Sequence, residues 1–139
     1  MIHPLRSFLI ILGLAIGVAG SAAAADKTIA SGTWAKKSKK ASGAWSIVEK
    51  DGKRVLQLDE KFKTSKAPDL KIVFSPHSAE AASNKNALEG GRVLSLLKSA
   101  KGAQKYELPT DLDPGQYKSV LIHCEKYTKL WVAGSLTHK

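Results

Sequence analysis

The chain is poor in cysteine, methionine, aromatic side chains and acidic groups. Its 139 residues include one Cys, one Met, and three each of Trp, Tyr and Phe. A single cysteine, Cys124, excludes an intrachain disulfide framework. No Cys-x-x-Cys-His run is present to hold haem covalently, and the only Met, Met1, lies far from Cys124, which argues against a blue-copper ligand set. Asp and Glu total 12 against 22 Lys and Arg, a formal net charge of +10. That balance excludes the acidic disordered classes, and 11 Gly and 5 Pro exclude a collagen-like chain. No Ser/His/Asp order, paired-carboxylate spacing or glycine-rich phosphate loop stands out, so a hydrolase has no residues to work with.

What is present divides at Ala25. Arg6 supplies a positive n-region, Phe8 to Gly20 an uncharged apolar h-region, and Ala23-Ala24-Ala25 a small-residue cleavage site, the pattern of a secretory signal peptide over residues 1–25. The apolar run is shorter than the roughly 18 to 20 residues that a membrane span needs, so no stable span is expected after cleavage. No Cys near the site supports a lipid anchor. Residues 26–139 are then one domain in the periplasm or outside the cell, still strongly basic because Arg6 is the only charged residue lost.

After the leader, short β-branched and aromatic runs recur between Gly, Pro, Asp-Gly and Ser clusters, which points to an all-β sandwich or barrel. Strands are expected near Ile29 to Trp34, Ser42 to Glu49, Arg54 to Phe62, Leu70 to Ser75, Arg92 to Leu97, Gln104 to Leu108, Lys118 to Lys126 and Leu130 to Leu136. Asp51-Gly52 suits the positive φ angles of a two-residue hairpin, which sets Lys50 opposite Lys53, Ile47 opposite Leu56 and Trp45 opposite Leu58. Those four apolar side chains then share one face. Ser78 to Leu88, small and polar, reads as a surface loop with one helical turn.

His123-Cys124-Glu125 has the composition of an activated nucleophile, but in a strand alternate side chains point to opposite faces. Cys124 therefore goes with Val120 and Ile122, and His123 cannot reach the thiol without a bulge. Two readings of Cys124 stand: a small apolar group in the core, or a thiol near the sheet end whose thiolate is favoured by Lys126 on the same face. His77, His123 and His138 could meet only through the fold, and three His so scattered in sequence read as surface residues rather than a metal site. Lys36-Lys37-Ser38-Lys39-Lys40 fits an edge-strand guard or solvated loop better than a grip on phosphate. Only Trp34 lies beside it, whereas nucleic-acid surfaces interleave aromatics, and export excludes a nucleic-acid partner. Trp34, Trp45 and Trp131 read as core or sandwich-edge residues that need indole N–H partners.

In order along the chain come Val55-Leu56-x-Leu58, Phe62-x-Thr64-x-x-Ala67-Pro68-Asp69-Leu70, Ile72-Val73-Phe74-Ser75, Gly102-x-Gln104-x-Tyr106-x-Leu108-Pro109 and Tyr117-x-Ser119-Val120-x-Ile122-His123-Cys124. This succession resembles the DM-thirteen domain family, an electron-transfer domain often joined to DOMON and Skeletor-type proteins, from about Gly32 to Leu136. The resemblance implies a jelly-roll-like β-sandwich outside the cytoplasm in which Cys124 takes part in redox or electron transfer. An aromatic residue commonly precedes that cysteine in the family; here it is His123. Two functions follow as expectations: a redox accessory in which Cys124 exchanges with a partner protein, or a non-catalytic module whose positive charge holds an anionic envelope component.

Overall fold

The computed structural model describes Gly17 and residues 26–137. The expected leader, Gly17 apart, and His138 lie outside the described residues. Among the described residues eleven strands follow one another: β1 (Lys27–Thr33), β2 (Ala35–Lys36), β3 (Ala41–Ser42), β4 (Ala44–Lys50), β5 (Lys53–Leu58), β6 (Lys63–Thr64), β7 (Leu70–Ser75), β8 (Arg92–Leu96), β9 (Gln104–Glu107), β10 (Ser119–Cys124) and β11 (Lys129–Ser135). They form a four-stranded sheet, β1-β4-β5-β9, a five-stranded sheet, β2-β11-β10-β7-β8, and a small β3-β6 ribbon. All pairings are antiparallel. The protein is an all-β sandwich, as the turn spacing predicts. Among the described residues no helix is long and apolar enough to cross a membrane.

The β4–β5 hairpin has the expected register, with Lys50 opposite Lys53, Ile47 opposite Leu56 and Trp45 opposite Leu58. Asp51 at φ 52° and Gly52 at φ 76° make the two-residue turn whose twist matches the strands. Trp45, Ile47, Leu56 and Leu58 consequently face the space between the sheets, each at most 2% exposed. Opposite them stand Leu70, Ile72 and Phe74 of β7, Val120, Ile122 and Cys124 of β10, and Trp131 and Val132 of β11. The chain changes sheet at Trp34, between β1 and β2, where its ring lies 6.3 Å from Trp45 and 6.1 Å from Phe62. Gly134 is needed where β11 passes Trp45, because a Cβ there would stand 2.8 Å from Trp45 Cε2.

The inner strands of the five-stranded sheet, β7, β10 and β11, are buried on both faces. Their outer face, Val73, Leu121, Leu130 and Ala133, is covered by Ala79, Ala82 and Ala87 of the segment expected to be a surface loop. That segment makes two single turns, Ala82 N–H to Ser78 O and Ala87 N–H to Ser83 O. Its small side chains allow the backbone to lie close on the sheet, which explains β7 and β10 being apolar without alternation.

Several expected strand ends move. Leu58 ends β5, and Phe62 enters the core from a turn closed by its N–H to Asp59 O. Cys124 ends β10, and Glu125 to Thr128 form a turn in which Thr128 has φ 50°. The two-residue strands β2, β3 and β6 are too short to show a period in the sequence.

Candidate functional site

Cys124 is the last residue of β10, an interior strand of the five-stranded sheet, paired with Leu70 of β7 and Lys129 of β11. The β10–β7 register is unbroken from Ser119 to Cys124, so strand alternation sends Val120, Ile122 and Cys124 inward and Leu121 outward. A bulge does occur, but on β11: Ile122 opposes Val132 while His123 opposes Leu130. The extra residue is Trp131, and the bulge lets Trp131 and Val132 both face the core. It leaves Cys124 and His123 on opposite faces, so the imidazole cannot take the thiol proton.

Cys124 is a free thiol at 0% exposure, among aliphatic and aromatic neighbours. Its cover is thin in sequence terms, since the next four residues, Glu125 to Thr128, are all exposed. Lys126, expected to continue the strand on the Cys124 face, instead lies in this turn, with its Nζ 5.9 Å from the exposed Tyr127 ring. The strand ends two residues early because the chain turns back at once, with Thr128 N–H on Glu125 O and Thr128 at φ 50°; Glu125 N–H to Asp69 O is the last bond in the β10–β7 register.

The outer side of the same strand end carries a polar corner. Lys71, cross-strand from His123, pairs with Glu125 and lies 3.6 Å from Asp69. Glu125 raises the pKa of Lys71. His123, expected at the surface, is 1% exposed because it stands on an interior strand, and among the described residues its Nδ1 has no hydrogen-bond partner. Burial lowers its pKa, against the pull of Glu125 and Asp69 and in the same direction as Lys71. The corner clamps the Glu125–Thr128 turn onto β7. Its sequence signal was the i, i+2 spacing of Asp69 with Lys71 and of His123 with Glu125, which sets each pair on one strand face.

The other singled-out residues do not join this site. Trp45 and Trp131 donate to Thr33 O at 3.3 Å and Ser65 O at 3.0 Å, whereas Trp34 Nε1 is buried without an acceptor among the described residues. Lys36 to Lys40 edge the five-stranded sheet: Lys37 and Lys39 N–H both reach Trp131 O, and Ser38 N–H reaches Leu130 O. His77 lies 4.0 Å from Glu89, away from His123. Among the described residues no three His, Cys, Asp or Glu side chains gather as a metal-binding group.

A family model described as Electron transfer DM13 matches residues 33–131, a stretch that includes Cys124. No curated protein and no solved structure matches the chain. With the match running from β1 into β11 and so through both sheets of the sandwich, the chain belongs to the Electron transfer DM13 family.

Proposed function

We propose that the protein is an exported redox domain that exchanges its one thiol, Cys124, with a disulfide of a partner protein in the periplasm or outside the cell. In the exchange Cys124 gives its proton to solvent and its sulfur attacks one sulfur of the partner's disulfide. A new S–S bond joins Cys124 to that sulfur, the partner's S–S bond breaks, and the departing sulfur takes up a proton. Cys124 is thereby oxidised and the partner's second cysteine reduced. The observation that carries this reading is the Electron transfer DM13 match over residues 33–131 of a chain whose only thiol is Cys124. The exposed Glu125–Thr128 turn beside it offers a route, because opening a strand end costs less than unfolding the sheet.

Oxidised glutathione serves as the test disulfide. The folded chain is expected to gain one glutathione by intact mass, a Cys124→Ala variant none. An adduct that forms only in denaturant refutes the exchange. Export is checked by fractionating cells and sequencing the amino terminus, which is expected to begin at Asp26.

The zero exposure of Cys124 favours a second reading, in which the thiol only packs and the positive charge, +10 for the whole chain and one less without Arg6, holds an anionic envelope component. Under that reading Cys124→Ala retains full function.

A further inference from the structure

Charge is divided unequally between the two ends of the sandwich. At the end carrying the Asp51-Gly52 turn, Asp26 pairs with Lys50, Glu107 with Lys53, Asp113 with Arg54 and Asp111 with Arg92. Acidic side chains there largely offset the basic ones. At the opposite end, where β10 finishes at Cys124, three separate segments bring lysines together. Lys63 on β6 opposes Ser42 of β3 on one side and bridges to Lys101 on the other. Thr64 Oγ1 bonds Lys40 O, Ser42 Oγ bonds Lys61 O, and Thr64 N–H bonds Ala100 O. Lys40, Lys61, Lys63, Lys66 and Lys101 are all exposed, and none forms an ion pair among the described residues. Glu60 and Asp59 are the carboxylates set among them, and Asp59 is engaged by the Lys61 N–H. The other two acids at this end, Asp69 and Glu125, are held by Lys71.

Beside these lysines lies an apolar hollow, edged by Lys66 and Lys98. It is a shallow cavity of about 360 Å³, floored by Pro68, Leu70, Leu96 and Leu97. Leu96 is 59% exposed. Lys98 is partly occupied, its Nζ lying 4.8 Å from the Tyr106 ring and bonding Lys105 O. An apolar patch edged by charge is the anatomy of a protein interface rather than of a surface that only condenses on a charged film. The cavity and Cys124 share an end of the sheet, since Leu70 lines the first and is register partner to the second.

We propose that this lysine-rimmed end is the docking surface for an acidic face of the redox partner protein, which it delivers beside the strand end that covers Cys124. The proposal rests on the electron-transfer reading and deepens it. The like-charged end steers encounter and sets orientation, while the small apolar hollow keeps the complex short-lived, as suits redox exchange.

Poly-L-glutamate, labelled with a fluorophore, is the probe. Its binding to the folded chain is followed by anisotropy at low salt, and the backbone amide shifts it causes are mapped by NMR. Three exposed lysines are neutralised at each end in turn, Lys63→Gln, Lys66→Gln and Lys101→Gln against Lys27→Gln, Lys53→Gln and Lys118→Gln, so both variants lose the same charge. The first set is expected to weaken binding more than about tenfold and the second less than about threefold. Shifts are expected at residues 61–66 and 98–101. Equal weakening by the two sets, or no binding, overturns the proposal. So does preferential binding to phosphatidylglycerol vesicles that displaces poly-L-glutamate, which assigns the end to a membrane. Cys124→Ala is expected to bind the probe like the native chain, so a failure of disulfide exchange and a failure of docking are read separately.

Discussion

Replacing Cys124 by Ser and by Ala distinguishes a thiol in a dry core from one in contact with water. Sγ stands at 0% exposure in a cluster with Leu70, Ile122, Trp131 and Val132. Alanine removes one heavy atom and leaves a small void, at a cost of about 1 kcal/mol. Serine nearly preserves the volume but introduces a hydroxyl whose hydrogen bonds to water are lost, at a cost of about 2 kcal/mol. For a domain a little over one hundred residues long, each kcal/mol lowers Tm by about 4 °C. Circular dichroism melts of the reduced proteins are therefore expected to fall by about 4 °C for Cys124→Ala and about 8 °C for Cys124→Ser. A serine variant as stable as the alanine variant contradicts the burial argument, because its hydroxyl must then have found water or a partner. The ordering also makes Cys124→Ala the better redox-inactive control.

Two further outcomes follow from named contacts. Burial lowers the His123 pKa from 6.5, so below about that pH the unfolded chain binds more protons than the folded one and stability declines as pH falls. Denaturant midpoints at pH 7.5 and 5.0 are expected to differ more in the native chain than in His123→Gln, and an equal difference removes His123 from the account. Gly134→Ala sets a Cβ 2.8 Å from Trp45 Cε2 and 3.0 Å from Val120 Cγ1. Overpacking of this kind costs about 1–3 kcal/mol, so an unchanged urea midpoint refutes the close approach of β11 to Trp45.

The features readable from sequence are those set by local alternation. β7 spans Leu70–Ser75 as expected, and Asp51-Gly52 fixed the β4–β5 register together with the inward face of Trp45, Ile47, Leu56 and Leu58. The inward direction of Cys124 came from the same period of two. The bulge at Trp131 was invisible, because Leu130-Trp131-Val132 is apolar throughout and an extra residue leaves no mark on such a run. Nor could the alternation reveal that β10 stops at Cys124, since the turn that ends it, Glu125-Lys126-Tyr127-Thr128, holds no Gly or Pro to mark it although Thr128 takes φ 50°. The compact Lys36–Lys40 run drew attention in the sequence, yet most of the uncompensated lysine end comes from Lys61, Lys63, Lys66 and Lys101, which only the β3–β6 ribbon and its bridge gather.

The central claim, that Cys124 is reached by opening a strand end while the sandwich stays folded, is tested most directly by the rate of its alkylation with iodoacetamide across low denaturant concentrations. If the claim holds, the rate yields an opening free energy below that of global unfolding and changes little with denaturant, because little surface is exposed. A rate that tracks global unfolding, with the full denaturant slope, contradicts it.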